Sequence, residues 1–478
     1  YTGTTTVSAG TLQLEGNLSD SDVTVEDGGT LKINGSDVTI KSLTVDAGGT
    51  VEIEPNMGLT VTGTASNSGT FTIKSDATGT GSFILETTGF TANFQQYIDN
   101  NNKYHFISVP FKATMPEICD GNWAPLTTAF DQAVGETYDF YYLDESVSGN
   151  YWINLKNDSW GVNTSDFGNP PRFVKGKGYL VAYSSSFSGS DTKSSSGTLQ
   201  NGNLIYDGLT ASSLTYNLIG NPFPSSLDWK GSGWGRSNLE DDSGYNLWIW
   251  NGSSGQFGTY NSGSGSDDGT HGTSRYIAPA QGFYVQAASA GNLTFPAASR
   301  THSTKTLLKN TNSNKQLRLF VTGDANHYSD EIIIEFGHSD NTGGSPKLAS
   351  LYSTAPSLST IKEGTNFSID FRTNEINQNI IPVSFEPGVN GTYTISGSDF
   401  NFESVLLKDK KTSEIIDLKL VGSYSFVSVV EDDSDRFEIL FSPVGIDEQV
   451  TVSDIKVFAN NGNITILNNN TLTGSINI

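Results

Sequence analysis

The sequence predicts an all-β protein, in which a short parallel β-solenoid at the N-terminus is followed by β-sandwich domains in series. Glycine is frequent at 51 residues, methionine is rare at 2, and no long amphipathic helical pattern occurs. Short apolar runs bounded by Gly, Pro, Asn or Ser are typical of strands joined by turns. A five-residue motif that recurs four times near the N-terminus is typical of stacked coils.

The first element is the repeat, which occupies residues 1–88. Its copies share the pattern Gly-Thr-apolar-x-apolar at spacings of 19, 20 and 20 residues: GTLQL (10–14), GTLKI (29–33), GTVEI (49–53) and GTFTI (69–73). A coil of about 20 residues with alternating apolar positions is what a parallel β-solenoid requires. Aligning the coils predicts apolar ladders with these partners: Val23 over Leu43, Val25 over Val45, Leu31 over Val51 and Ile33 over Ile53. GSFIL (81–85) predicts a last, partial coil.

This solenoid is too short to favour an enzyme. Four or five coils stacked about 4.8 Å apart are only about 20 Å tall. Carbohydrate-cleaving β-helices need a longer groove with clustered acids and bases, whereas these coils offer only the scattered Lys32, Lys41 and Lys74. An uncapped solenoid end near Tyr1 could stack on another chain, so self-association through this end is a predicted interaction.

Residues 89–303 predict an aromatic-rich β-sandwich. Its strand-like segments include YHFISVPF (104–111), TYDFYYLDE (137–145), KGYLVAY (177–183), YNLIGNPFPSSLDW (216–229), YNLWIWN (245–251), YIAPAQGFYVQA (276–287) and LTFPAASRTH (293–302). Pro222 and Pro224 cannot donate ladder hydrogen bonds, so a strand must end or reach a sheet edge there.

The succession of motifs in this region resembles a module of large secreted proteins of Bacteroidetes. The motifs are an ISVP strand, GKGYLVAY, NLIGNPFPSSLDW, IAPAQGFYV and a closing arginine-histidine segment. The resemblance covers about 200 residues and implies an extracellular location and this architecture. It implies no active site, because the family carries no agreed catalytic residues.

Tryptophans in this region indicate one candidate binding face. Trp248 and Trp250 share one face of a strand whose other face is also apolar, which favours the core for that pair. Trp234 lies in a glycine-rich loop, where an exposed ring could stack on a sugar or anchor a partner. Tyr260 and Tyr276 could extend such a face. The intervening NSGSGSDDGTHG (261–272) is typical of a mobile surface loop.

A polar linker at 304–314 precedes a second predicted sandwich at 315–448. Eight strand-like segments in about 130 residues fit an immunoglobulin-like sandwich without its paired cysteines. The stretches at 381–400, 406–418 and 431–441 resemble the sandwich that commonly precedes a sorting domain in the same secreted proteins.

The final stretch, IKVFANNGNITILNNNTLTGSINI (455–478), resembles the opening of the C-terminal sorting domain read by the type IX secretion system of Bacteroidetes. That family has an asparagine-glycine-asparagine turn before an I-x-I strand, matched by Asn461, Gly462, Asn463, Ile464 and Ile466. The later strands of the domain are absent, so we expect 449–478 to be an incomplete sorting domain, by truncation or processing. The resemblance implies the type IX secretion machinery as a partner.

Charge and special residues narrow the location and the partners. Acidic residues outnumber basic ones by 51 to 27, and the net charge of −24 disfavours nucleic acid and anionic membranes. Cys119 is the only cysteine, so neither an intramolecular disulfide nor a Cys-based zinc site can form, and we expect it buried. No apolar run is long enough for a transmembrane segment. The chain begins at Tyr1 without a leader, so we expect a signal peptide to have been removed, and an extracellular or outer-membrane surface location.

Catalytic and metal motifs are not found in the sequence. The five histidines, His105, His271, His302, His327 and His338, have no recognisable metal spacing. Acidic pairs such as Asp241 with Asp242, Asp267 with Asp268, and Asp432 with Asp433 and Asp435 fit solvated loops. Calcium binding is the more specific interpretation of such acidic clusters, but no ligand or cofactor is assigned.

Three functions are compatible with these observations. The first is a non-enzymatic secreted or cell-surface protein, adhesin-like or structural, exported by type IX secretion. The second is a glycan-binding module of a polysaccharide-using system that depends on Trp234. The third is a carbohydrate-active enzyme with unrecognised acids in the 89–303 sandwich.

Overall fold

The structure of the protein is a computed structural model, which describes residues 3–98, 104–111, 139–147, 151–154, 173–182, 191–303, 315–374, 380–398, 402, 404–441, 455–460 and 463–468. Of the described residues, 55% are in strands and 2% in helices, which confirms the predicted all-β class with a solenoid-like arrangement of sheets. Among the described residues, no helix has the length and hydropathy needed to span a membrane. Cys119 and the predicted linker at 304–314 lie outside the described residues.

The N-terminal coils contribute twelve short strands. These strands are β1 (Thr5–Val7), β2 (Gly10–Leu14), β3 (Leu18–Val25), β4 (Gly29–Ile33), β5 (Val38–Val45), β6 (Thr50–Ile53), β7 (Gly58–Val61), β8 (Ala65–Asn67), β9 (Thr70–Ile73), β10 (Ser75–Asp76), β11 (Gly79–Thr80) and β12 (Ser82–Leu85). One parallel sheet has the order β1-β3-β5-β7-β12, and the facing sheet includes β2-β4-β6-β9. All four predicted ladder pairs are in register and buried, and β12 extends the stack on β7 as expected.

Glycine at the start of the second, third and fourth repeats lets each of these coils approach the coil before it closely. A Cβ atom built on Gly49 would lie 2.5 Å from the carbonyl oxygen of Val25, and Gly29 and Gly69 meet backbone carbonyls of preceding coils in the same way. Any larger residue would therefore push the coils apart. Between the side chains of neighbouring coils, Lys74 forms ion pairs of 2.9 Å with Glu52 and 3.0 Å with Glu54.

The described residues of the middle of the chain form fifteen strands. They are β13 (Thr91–Ile98), β14 (His105–Ile107), β15 (Asp139–Leu143), β16 (Trp152–Asn154), β17 (Tyr179–Ala182), β18 (Asp191–Thr198), β19 (Leu204–Leu209), β20 (Tyr216–Gly220), β21 (Ser226–Asp228), β22 (Asn246–Asn251), β23 (Gln256–Asn261), β24 (Tyr276–Ile277), β25 (Gly282–Gln286), β26 (Gly291–Phe295) and β27 (Arg300–Thr301). A 3₁₀ turn, Ala297–Ser299, precedes β27.

The solenoid sheet ends on a strand from far along the chain. β13 pairs in parallel with β9, and β18 then pairs antiparallel with β13 over eight residues. One apolar cluster runs from the coils into the following segment, through Phe71 and Phe94 to Phe111 and Tyr179. The predicted boundary at residues 88 and 89 remains a prediction, and packing is continuous across it.

Two four-stranded sheets, β14-β17-β15-β16 and β20-β25-β22-β23, share a second core. Trp248 is fully buried and Trp250 is 6% exposed, which confirms the core prediction for that pair. β20 ends at Gly220 and β21 begins at Ser226, so the strand breaks at Pro222 and Pro224 as expected.

The C-terminal part forms one eleven-stranded sheet. Its strands are β28 (Gln316–Gly323), β29 (Ser329–Phe336), β30 (Gly344–Pro346), β31 (Ser357–Lys362), β32 (Thr365–Arg372), β33 (Ile381–Glu386), β34 (Gly391–Ser398), β35 (Val405–Asp409), β36 (Glu414–Asp417), β37 (Ser423–Ser428) and β38 (Phe437–Phe441), with helix α1 (Leu418–Val421) after β36. The order is β36-β35-β38-β33-β31-β32-β29-β28-β34-β37, with β30 beside β32.

This sheet folds over on itself to enclose its core. β29 and β38 are separated by three strands in the sheet, yet the rings of Phe336 and Phe441 lie 5.3 Å apart. Phe385 and Phe426 make a similar contact at 5.2 Å between β33 and β37. The fold is therefore sandwich-like, and its immunoglobulin-like topology remains a prediction. A separate antiparallel hairpin, β39 (Ile455–Asn460) and β40 (Asn463–Asn468), follows.

Candidate functional site

Trp234 and Tyr276, two of the predicted binding residues, lie beside Asp228 at the end of β21. The Trp234 indole Nε1 donates to the Asp228 carbonyl oxygen at 2.9 Å, and its ring packs edge-to-face on Trp229 at 4.7 Å. Tyr276 is the strand partner of Asp228 and is half-buried. The Trp234 ring is thus largely taken up by contacts within the protein.

Tyr260 does not extend this face. Its side chain is fully buried, and its hydroxyl donates to the Ser266 carbonyl oxygen at 3.3 Å. A ring without exposed surface offers nothing for a ligand to stack on, so the structure corrects the prediction for Tyr260. The three aromatic residues therefore do not form the open face expected from the sequence.

Residues 261–272 pack against β29, and we call such a hydrogen-bonded contact between two distant segments of the chain a joint. The prediction of a mobile surface loop is therefore wrong. Ser264 and Gly265 donate to the two carboxylate oxygens of Glu335 at 2.6 and 2.7 Å, and the His271 backbone N–H donates to Glu331 at 2.6 Å. The small side chains allow this backbone to approach the carboxylates of β29 closely. Glycine and serine serve close packing here, and not mobility.

Asp330 is the centre of the same joint. Its carboxylate accepts hydrogen bonds from Lys347, from the His271 ring at 2.9 Å and from the Leu358 backbone N–H at 2.6 Å. Burial alone would raise the pKa of Asp330, but Lys347 and His271 outweigh it and lower the pKa. The charge is therefore kept in the interior and holds the middle of the chain to the C-terminal sheet.

A second joint attaches the closing arginine-histidine segment to the solenoid. Arg300 donates to the Leu85 carbonyl oxygen at 2.7 Å and to Glu86 at 2.6 Å. The His302 ring nitrogens lie 2.7 Å from the hydroxyls of Thr60 and Ser82, on the neighbouring strands β7 and β12. The arginine and histidine of the recognised motif thus have a docking role.

Glu145 forms a third joint. Its carboxylate accepts backbone N–H bonds from Ser212 at 2.9 Å, Ser213 at 2.7 Å and Thr215 at 3.3 Å. Burial would raise the pKa of Glu145, but these donors outweigh burial and lower the pKa to about 2. The carboxylate therefore fixes the turn before β20.

The acidic pairs singled out in the sequence are also engaged within the protein. Asp267 binds Arg275 at 3.1 Å, and Asp242 accepts from Asn246 at 3.0 Å. A hydrogen bond from Lys411 is the main cause that lowers the pKa of Asp432 to about 2. Within the described ranges, no group of three or more His, Cys, Asp or Glu side chains is arranged to hold a metal ion. Calcium binding stays a prediction from the sequence, without assigned ligands.

A cavity of about 240 Å³ lies between the end of the solenoid and the middle sheets. Its aromatic wall comes from four residues: Tyr97, Tyr104, Phe106 and Trp250. Its polar groups are the amides, hydroxyls and imidazole of Gln96, Gln281, Thr80, Ser253 and His105. None of the described residues that line it carries a carboxylate, ammonium or guanidinium group.

A row of aromatic rings leads away from this cavity. Tyr104 stacks on Tyr352 with ring centroids 5.9 Å apart, and Tyr352 stacks on Tyr328 at 5.3 Å. His327 contacts Tyr328 at 4.3 Å and is exposed, while the three tyrosines are half-buried. Trp250, which lines the cavity, also packs on Tyr352 at 5.3 Å. Cavity and row are therefore contiguous, and together they are the candidate binding site.

Sequence reasoning missed this site because its residues are distributed along the chain. Tyr104, Trp250 and Tyr352 belong to segments about 100 to 150 residues apart, and only the tertiary fold brings them together. The polar-aromatic stretches YHF at 104–106 and NHY at 326–328 are the signals in the sequence that could have indicated it.

The sorting-signal residues lie partly outside the described part of the chain. Asn461 and Gly462 are outside it, while Asn463, Ile464 and Ile466 belong to β40. Asn460 is opposite Asn463 in the β39–β40 hairpin.

A family model described as "Domain of unknown function (DUF8693)" matches residues 17–441. The match runs from the first coils to the last strand of the C-terminal sheet, so it includes the three joints, the cavity and the aromatic row. Neither a search of curated proteins nor a search of solved structures finds a match.

Proposed function

We propose that this chain, which belongs to the family described as a domain of unknown function (DUF8693), is a non-enzymatic secreted or cell-surface protein, adhesin-like or structural. We further propose that it is exported by the type IX secretion system of a member of the Bacteroidetes and works outside the cell or on the outer-membrane surface.

The observation that carries the proposal is the use of reactive groups as joints. Asp330, His302 and Glu145 are the kinds of residue from which active sites are built, but each is bonded between two segments of the same chain, with Asp330 and Glu145 buried and His302 half-buried. Such joints hold the solenoid and the two sheet regions together. That arrangement favours an extended binding or structural body.

The proposed export route rests on the C-terminal resemblance. The I-x-I strand expected after the asparagine-glycine-asparagine motif corresponds to β40. The secretion machinery is accordingly the first proposed partner.

A second copy of the chain is another proposed partner. Among the described residues, β1 and β2 are the outermost strands of their sheets, and Leu12 on β2 is only partly buried. An edge of this kind can pair with another chain. Light scattering at several concentrations should give a rising mass for this chain and a constant mass for Leu12→Lys, whereas a constant mass for both would contradict self-association.

The export proposal is tested with the full-length protein in a type IX-competent bacterium and in a secretion-deficient strain. We expect externally added protease to digest the protein in the competent strain, and the protein to be retained inside the deficient strain. The same location in both strains would overturn the export route.

The non-enzymatic part is tested separately with purified protein. Incubation with algal and plant polysaccharides, followed by a reducing-end assay, should release no new ends. Release from any of them would favour a carbohydrate-active enzyme instead.

A further inference from the structure

We infer that the cavity beside Trp250 and the aromatic row beyond it form a binding site for a neutral glycan, with the terminal sugar ring in the cavity and the following units along Tyr352 and Tyr328. The site goes beyond the proposed function, since neither export nor a structural role requires it.

The size of the cavity limits its occupant. At about 240 Å³ it is smaller than the roughly 300–1,000 Å³ of pockets that enclose drug-sized ligands. A single ring-sized molecule fits this volume, whereas an oligosaccharide does not. Recognition is therefore of a chain end, and further units must lie outside the cavity.

The lining limits the chemistry of that occupant. Aromatic rings beside amides and hydroxyls suit a molecule with one apolar face and many hydroxyl groups, and that is the character of a sugar ring. No cationic side chain among the described lining residues is available to pair with an acidic sugar. The net charge of −24 also repels anionic polymers, so a neutral sugar is favoured over a uronate or a sulfated sugar.

The aromatic row supplies the extended part of the site. Tyr104 and Trp250 both line the cavity and both contact Tyr352, which continues the aromatic surface to Tyr328 and the exposed His327. Sugar units that emerge from the cavity therefore meet a continuous row of rings. The Trp250 indole N–H is buried without an acceptor among the described residues, and the ring is held at the cavity wall by packing on Phe257 at 5.1 Å and Tyr352 at 5.3 Å.

The test uses isothermal titration calorimetry of the full chain with cello-, manno-, xylo-, malto- and laminaripentaose, and with pentagalacturonic acid as the charged counterpart. We expect at least one neutral pentasaccharide to bind with a micromolar to millimolar Kd and the acidic one not to bind. Absence of binding by every neutral probe, or equally tight binding of the acidic one, would overturn the inference.

Two variants and a control locate the binding. Ser253 lines the cavity and is exposed, so Ser253→Trp fills the cavity without disturbing a core and should weaken binding about tenfold or more. Tyr352→Ala should weaken it about three- to tenfold by removing the middle of the row. Tyr276→Ala, a half-buried tyrosine of the face predicted from sequence, is the matched control and should bind like the wild type.

Unchanged affinity in Ser253→Trp, with unaltered circular dichroism, would place the sugar elsewhere and refute the site. The surface location of Ser253→Trp in the type IX-competent strain is measured in parallel. If no neutral sugar binds but the protein is exported normally, the glycan site is refuted and the proposed export is not. If the wild type is not exported, the proposed function is refuted and the glycan site is not.

Discussion

The Lys347 ammonium nitrogen lies 2.6 Å from both carboxylate oxygens of Asp330, and the two side chains are only 5% and 0% exposed. Each charge of such a buried pair has lost its hydration and is stabilised by the opposite charge of its partner. Because His271 from the middle of the chain also binds Asp330, the pair determines how the middle sheets attach to the C-terminal sheet.

Asp330→Asn should lower the free energy of unfolding by about 3–5 kcal/mol, because it leaves the Lys347 charge buried without a counter-ion. Urea unfolding followed by fluorescence measures the change. The control is Asp22→Asn, which removes a half-exposed partner of Lys41 and should have almost no effect. Equal effects of the two substitutions would contradict a buried ionic joint.

The attachment of His302 should make stability depend on pH. Burial lowers the pKa of His302 below its ordinary value of 6.5, and Asp37 opposes the shift only in part. The unfolded chain therefore takes up a proton at a higher pH than the folded one, so the free energy of unfolding falls as the pH drops below 6.5.

Between about pH 7.5 and about pH 5, the free energy of unfolding should fall less in His302→Gln than in the wild type, as measured by urea unfolding at each pH. His327→Gln, which removes an exposed histidine, is the control and should leave the pH dependence unchanged. An unaltered profile in His302→Gln would show that another group titrates.

Glu145→Gln should loosen the turn that holds Ser212 and Ser213. The neutral amide is a weaker acceptor for their N–H groups, so hydrogen exchange of these amides should accelerate about 10- to 100-fold at neutral pH. In the wild type the folded pKa of about 2 lies below the ordinary 4.5. The stabilisation is therefore complete above pH 4.5 and is lost as the pH falls towards 2. Identical exchange rates in variant and wild type would disprove this role of Glu145.

Gly49→Ala should destabilise the solenoid by about 1–3 kcal/mol, because the added methyl group meets the Val25 carbonyl oxygen of the preceding coil. Gly16→Ala is the matched control, since a Cβ there has no atom within 4 Å, and its effect should stay within about 0.5 kcal/mol. Thermal unfolding by circular dichroism compares them. A tolerated Gly49→Ala would mean that the coils can move apart at little cost.

The solenoid could be predicted to the level of residue pairs because the repeat encodes its own register. Once Leu31 is aligned with Val51, stacking identical coils leaves one possible partner for each apolar position. The strand break at Pro222 and Pro224 was also predictable, since two prolines within three residues remove two ladder donors.

Long-range features were not predictable in the same way. β18, with the sequence DTKSSSGT, has no apolar alternation, so nothing local indicates that it pairs with β13. The 261–272 loop has a mobile-looking composition, but glycine and serine also permit the close approach to Glu335 that buries it. The row from Tyr104 to Tyr328 depends on the packing of three segments, which a single sequence does not specify.

The β13–β18 pairing has a consequence for the order in which the chain folds. Neighbouring coils join residues about 20 positions apart, whereas Ile98 pairs with Asp191 and Thr91 with Thr198, which are 93 and 107 positions apart. Closing so long a loop is slow, and we expect the coils to form first and β18 to dock late. Until then β13 presents an open row of backbone donors and acceptors, and the newly made solenoid is at its most vulnerable to mispairing with other chains.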